Sequence, residues 1–429
     1  MRRRLSELGA FFILFLAVPA GSWAASDSFS AGFYTRGVEA AYYLDQGGAV
    51  FDPFYIPAKT TGAVLPRVTL AVVQEDNIFL DPDKKTPLTT VDLAAGMLAI
   101  WGRPANNHLF ADYGINVPIY HSEHDVVDEK PSHLLRLGMV YRGPKTQINS
   151  QLGLRYVEQV DLLVGARIAR QDYFADVNLE HRVSGKSSLG AVGRVERHDF
   201  DDDRYVTYDR YYGAGRLYHR VTAKSEGFFQ GGVGRDEPRR QRDNVSAADY
   251  YDLSIGVRGK QSPKFSSSGR VGYMWRTYDD AGRADYENWV ASVSAESSPM
   301  GLSTFGLELY ADIRPAVDQT GLDAVDQGLT GSVSRRLFIE RLRGGASVNF
   351  GRVEYHGRHV LEDDRVYDGR TDNYWGFNVS LDWWTKQNFS LGLAYSYQER
   401  RGSREAREDT RERTSYEYGR WVLRASWNY

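Results

Sequence analysis

The chain has 429 residues, no cysteine, 13% aromatic residues and a formal net charge of −3. The aromatic share argues against disorder, and the lack of cysteine excludes a disulfide scaffold, a thiolate metal site and a lipid-modified N-terminal cysteine. Near-neutral charge argues against a nucleic-acid partner, and no apolar run approaches the roughly 20 residues of a helical span after the first two dozen positions.

In chain order, Arg2, Arg3 and Arg4 form a positive start, followed by an apolar run from Leu8 to Ala20. Ser22 and Ala24 place small residues where a signal peptidase reads, so residues 1–24 are expected to be an export signal, cleaved after Ala24. Residues 25–65 carry aromatic pieces (Phe33-Tyr34, Tyr42-Tyr43, Phe51 to Tyr55) broken by Gly and Pro. A plug, a periplasmic tail and a lead-in all remain open for this segment.

From residue 66 to 429 the pattern alternates with period two, as strands do. Trp421, Leu423, Ala425, Trp427 and Tyr429 share one face of the last segment, and Arg420, Val422, Arg424, Ser426 and Asn428 share the other. The pattern predicts eighteen strands: 66–78, 88–101, 108–120, 131–142, 146–157, 170–184, 187–200, 205–222, 226–238, 249–262, 264–280, 284–299, 300–317, 324–338, 341–357, 371–385, 388–401 and 415–429. Short turns rich in Gly, Pro and Lys alternate with longer, more acidic connections such as Glu158 to Ala169 and Arg400 to Thr414. Six of the ten lysines lie at or beside the short turns, while arginines number forty-three.

Short turns at one end and long polar loops at the other are the layout of an outer-membrane barrel. A soluble propeller repeats at a similar period. Here, however, one face of most strands is polar and charged, and no soluble interior buries such a face cheaply. In lipid every backbone group must pair, and only closure removes the sheet edges. The expected fold is therefore all-β: a transmembrane antiparallel up-and-down β-barrel of about 18 strands, with both termini on the periplasmic side of the outer membrane. Its expected surroundings are outer-membrane lipid and lipopolysaccharide. Its C-terminal aromatic strand is expected to engage the barrel assembly machinery.

Two stretches carry a family resemblance. One is Val68-Thr69-Leu70-Ala71-Val72-Val73-Gln74-Glu75-Asp76-Asn77-Ile78-Phe79. The other is Arg170-Gln171-Asp172-Tyr173-Phe174-Ala175, leading into Ser184-Gly185-Lys186-Ser187-Ser188-Leu189-Gly190. Together they resemble the outer-membrane β-barrel porin family associated with exopolysaccharide and capsule clusters, over about 66–429. Leu80 stands where that family has Arg or Thr, and Glu75 where Asp is common. The resemblance implies a barrel serving polysaccharide export or porin-like diffusion, with no catalytic residues to transfer.

Alternation also sorts the faces, because apolar side chains belong against lipid. It turns Arg136, Arg155, Arg182, Arg194, Arg216, Arg220, Arg258, Arg270, Arg276, Arg314, Arg420 and Arg424 inward, with Glu180, Glu308, Asp312 and Asp382. Asp112, Asp176, Glu196 and Glu296 fall on the same face. Eighteen strands leave room for an aqueous channel, and arginine grips carboxylates and phosphates bidentately. A conduit for an acidic polysaccharide and a general porin braced by Arg–acid ladders both fit. No cofactor or metal is expected. Gly185-Lys186-Ser187 lacks the earlier glycine of a phosphate loop, and the acids at Asp199 to Asp203 and Glu362-Asp363-Asp364 lack calcium-loop spacing. A non-conducting adhesive barrel, or a barrel enzyme with a loop histidine, remains the alternative.

Overall fold

The computed structural model describes residues 62–428, apart from 82, 104–106, 121–129, 162–165, 204, 240–244, 281–282, 300–301, 316–322, 338–340, 357–358, 361–365, 368–370, 387 and 403–414. The expected signal peptide, most of the 25–65 segment and the acids Glu362-Asp363-Asp364 lie outside the described residues. The strands are β1 (Ala63–Glu75), β2 (Leu88–Gly102), β3 (His108–Tyr120), β4 (Ser132–Arg142), β5 (Thr146–Asp161), β6 (Ala166–Arg182), β7 (Ser187–Phe200), β8 (Tyr208–Arg220), β9 (Ser225–Pro238) and β10 (Ala248–Ser262). They continue with β11 (Phe265–Tyr278), β12 (Tyr286–Ser297), β13 (Ser303–Arg314), β14 (Asp323–Arg336) and β15 (Leu342–His356). After a small ribbon of β16 (His359–Val360) and β17 (Val366–Tyr367) come β18 (Thr371–Lys386), β19 (Phe389–Gly402) and β20 (Tyr416–Asn428).

Apart from the ribbon, each strand pairs antiparallel with its neighbours in sequence, and β1 pairs with β20 as well as β2. The eighteen-stranded sheet is thus closed, and all eighteen expected strands are present. Two expectations need correction. Strand β1 ends at Glu75, so Asp76, Asn77 and Ile78 leave the ladder rather than extending it. The stretch from Glu158 to Ala169 is mostly strand, not loop, because β5 runs to Asp161 and β6 starts at Ala166.

The outer face carries the apolar half of each alternation. Val68, Leu70 and Val72 of β1, Leu253 and Ile255 of β10, and Leu423 of β20 are all exposed. Aromatics band this face near both ends: Trp101, Trp383 and Trp427 toward the short turns, Tyr251, Trp275, Trp289 and Trp421 toward the long loops. An exposed apolar belt flanked by aromatics suits hydrocarbon between two interfaces. On the inner face, rings lie over glycines directly opposite them on the next strand: Phe110 over Gly138, Phe174 over Gly153, Phe228 over Gly256, Tyr250 over Gly234, Tyr310 over Gly328 and Tyr374 over Gly351. A side chain at those glycines would occupy the ring's place.

Candidate functional site in the lumen

The inner wall is a ladder of charged clusters. Arg67 Nη2 donates to Asp112 Oδ1 at 2.7 Å, and Arg136 holds the other carboxylate oxygen. Arg67 is on β1 and Asp112 on β3, so the bond passes over β2 at Gly96, where a Cβ would lie 2.6 Å from Arg67 Nε. The same device recurs twice. Tyr212 on β8 donates to Asp252 on β10 at 2.7 Å across Gly232 of β9. Arg424 on β20 meets Asp382 on β18 at 2.6 Å across Gly392 of β19. Glycine on the middle strand is what lets polar side chains two strands apart meet flat against the wall.

Other clusters are broader. Asp172 accepts from Arg155 Nε at 2.9 Å and from Arg170 Nε at 3.2 Å, and its other oxygen lies 2.8 Å from His198 Nδ1. Arg258 bonds Glu180 at 2.7 Å and Glu226 at 2.9 Å, and stacks 4.0 Å from the Tyr218 ring centre. Gln230 accepts from Arg216 at 2.7 Å. Arg400 donates to Asp372 and, at 2.7 Å, to Tyr355. Arg194 sits 3.6 Å from Glu196 and opposite Asp176. Arg270 and Arg420 are buried on the inner face. Arg182 and Arg220 are exposed at the short-turn mouth. Glu308 lies on the inward row of β13, Glu296 opposite Ser266, and Asp312 accepts from the Ile313 amide at 2.9 Å. Sequence reasoning passed over Arg67, Arg170, Arg210, Arg400 and His198. All five fall on the inward parity of their strands, so the alternation that found the others would have found them.

The long-loop end is narrowed from inside. The β12–β13 ladder covers only Ala291–Ser297 against Phe305–Ala311, yet β12 begins at Tyr286 and β13 continues to Arg314. Beyond Ala311 the β13–β14 hairpin therefore leaves β12. Ile313 and Val325 are on the outward parity of their strands, yet both are buried in one cluster with the lumenal Val192, Tyr212, Tyr250, Met274 and Val290. The rule that apolar side chains face lipid fails here, because the tipped hairpin offers them a second apolar surface. An ionic chain holds the start of β14: Arg210 to Asp236 at 2.8 Å, Asp236 to Arg276 at 2.6 Å and Arg276 to Asp323 at 2.6 Å, with Tyr278 also on Asp323. Arg314 bonds Asp326 at 2.8 Å, and Tyr374 joins at 3.0 Å. Only about 10 Å³ stays open among Arg194, Arg210, Tyr212, Tyr250, Met274, Arg276 and Ile313, about the room of a single water.

Two further elements close in. Leu80, in the β1–β2 loop, is fully buried against Tyr416 and Tyr418 of β20. Asn77 Nδ2 donates to Glu417 O and Asp81 O, both at 2.9 Å, and its Oδ1 accepts from Asp81 N. Asp76 exchanges bonds with the Gly419 backbone at 3.0 and 2.6 Å. In this loop Lys85 is held above its ordinary pKa by its hydrogen bond to Glu417. Across five strand steps, Arg167 of β6 reaches within 3.7 Å of Glu75 of β1.

Catalytic groups do not converge among the described residues. His198 has Asp172 but no serine, and His219 has Ser187 at 3.2 Å but no acid. No three His, Asp or Glu among them could hold a metal. Asp199 accepts from Thr207, and Asp201 pairs with Lys130.

No protein-family model matches the sequence, and no curated protein matches it. Among solved structures it is similar to Pseudomonas aeruginosa OpdK, determined with vanillate (11% identity, TM-score 0.46, 85% of this chain and 99% of that one). It is also similar to P. aeruginosa OccK9 (OpdG) (14%, 0.45, 86% and 98%) and Acinetobacter baumannii OccAB4 (14%, 0.43, 87% and 100%). At these identities the likeness concerns the barrel fold alone, which the strand pairing already establishes.

Proposed function

We propose that the protein is an outer-membrane channel through which small hydrophilic solutes pass passively. The observation that carries this reading is the pairing of an apolar outer belt with a charged, ion-paired inner face that narrows at one end. The belt supports insertion in a bilayer, and the polar lumen supports contact with water and solutes. The short turns and both termini then lie in the periplasm, with the C-terminal strand engaged by the assembly machinery. The arginines of the inner face favour anions. Export of an acidic polysaccharide is a further reading of the same face, and it requires the β13–β14 hairpin to swing out of the lumen.

The test is single-channel conductance of the refolded mature protein in a planar bilayer, with reversal potentials in a salt gradient. A stable, anion-selective conductance is expected. Arg136→Gln with Arg216→Gln should lower the anion preference; unchanged selectivity would remove the arginines from the mechanism. A folded barrel with no conductance would move the reading to a structural or adhesive barrel.

A further inference from the structure

The short-turn end carries a charge pattern that the lumenal ladder leaves unused. Connections between barrel strands at this end hold six basic residues and one acid, while those at the opposite end hold fifteen and twenty-three. Lysines recur one per turn at Lys145, Lys186, Lys224 and Lys264. Two turns nearly repeat in sequence, His-Arg-Val-Ser-Gly-Lys-Ser from His181 and His-Arg-Val-Thr-Ala-Lys-Ser from His219.

The backbone builds these lysines into an array. In three of the four turns a hydroxyl two residues earlier accepts from the lysine amide: Ser184 at 3.2 Å from Lys186, Thr222 at 3.0 Å from Lys224 and Ser262 at 3.2 Å from Lys264. Successive turns are also joined. Arg182 N donates to Lys145 O, Arg220 N to Lys186 O and Ser298 N to Lys264 O, each at 2.7 Å. The turns follow every second strand, so the lysines stand about 10 Å apart along the rim. Their charge is not consumed. Lys224 and Lys264 donate to the neutral carbonyls of Gln261 and Pro299. Among the described residues no acid pairs with the side chains of Lys145, Lys186, Arg182 or Arg220. Further round, Arg335, Arg336, Arg341 and Arg343 flank the β14–β15 turn.

A rim serving only solubility would mix signs. In its connections this one is segregated by sign and spaced by the backbone, and the strand-end acids Glu180 and Glu226 are taken up by Arg258. We infer that the collar is a binding site for multivalent anions, phosphate or carboxylate oligomers, presented at the short-turn mouth. A single carboxylate on one exposed lysine gains little against solvent screening. A ligand whose charges bridge several turns gains from each without a new encounter. The acidic opposite mouth repels the same ligand, so capture is one-sided. Passage after capture rests on the channel reading above; capture itself does not.

The probe is inositol hexakisphosphate, titrated against the refolded full-length barrel in neutral detergent. Replacing Lys145, Arg182, Lys186 and Arg220 together by Gln should weaken binding about tenfold or more. Swapping each for the other basic residue should leave binding intact. Added salt should weaken binding to the unmodified protein. Equal affinity in all three proteins overturns the collar. Sidedness is read in bilayers. Because the chain lacks cysteine, Gly185→Cys supplies a single biotin whose capture by streptavidin reports orientation. Block from the short-turn side at lower concentration supports the inference, and equal block from both sides overturns it. Absence of conductance defeats the channel reading while the binding titration still decides the collar.

Discussion

Three glycines explain why the inner wall can carry so much charge. Gly96, Gly232 and Gly392 sit on middle strands beneath bonds between their flanking strands. At Gly96 an added Cβ meets the Tyr113 carbonyl at 2.7 Å as well as Arg67, and backbone cannot step aside. Gly96→Ala is expected to destabilise the barrel by about 1–3 kcal/mol, as overpacking does. Gly213, with nothing within 4 Å of an added Cβ, is the neutral control. Urea unfolding in detergent measures both, and equal midpoints would refute the close-approach argument. Asn77 is fully buried and makes three bonds, two that close the β1–β2 loop on Asp81 and one that ties it to Glu417 of β20. Asn77→Ala leaves Glu417 O and the Asp81 backbone without those partners, at a cost of about 1–3 kcal/mol if they stay dry. Leu80, in the same loop, has φ 54, a conformation costing a non-glycine residue about 1–2 kcal/mol. Burial against two tyrosines offsets that, so Leu80→Gly should loosen the loop despite relieving the backbone.

Among the elements, the β13–β14 hairpin departs most from a regular wall. Its outward-parity residues Ile313 and Val325 are buried, and Asp323 at the start of β14 is held by Arg276 and Tyr278. Asp323→Ala removes the anchor while Arg276 keeps Asp236. Under the channel reading the expected result is a larger, noisier conductance and faster permeation of neutral sugars in liposome swelling. Unchanged permeation would mean that the hairpin does not limit passage. Ile313→Asp should act in the same direction, because burying a carboxylate in that cluster costs several kcal/mol. The β5–β6 hairpin, elsewhere on the barrel, is longer than its composition suggested, and its strand extension carries Arg167 to Glu75.

The whole molecule is a closed sheet with a basic short-turn end and a long-loop end where acids outnumber bases. Closure joins Arg67 through Glu75 of β1 to Arg420 through Asn428 of β20. The clasp of Asp76 and Asn77 lies at the top of that seam, where the last strand must find the first. Truncating the C-terminal strand before Tyr416 should therefore abolish folding rather than weaken it, read as loss of the heat-modifiable compact band on gels; a compact band from the truncated chain would contradict closure through β20.

The sequence by itself determined the strand count, the barrel and the sorting of most side chains between lipid and lumen. Period-two alternation is a local property, and a one-residue slip would expose every charge to hydrocarbon. It also held the turn lysines and most of the ladder arginines. Only the tertiary structure decided which arginine meets which acid, because those pairs join residues such as Arg276 and Asp323, 47 positions apart across intervening strands. It alone revealed the tipped hairpin. Ile313 and Val325 obey the same alternation as their lipid-facing neighbours, and only the early end of the β12–β13 ladder turns them inward. The role of the Asp-Asn-Ile stretch was likewise hidden, because its partners lie on the last strand, about 340 residues away.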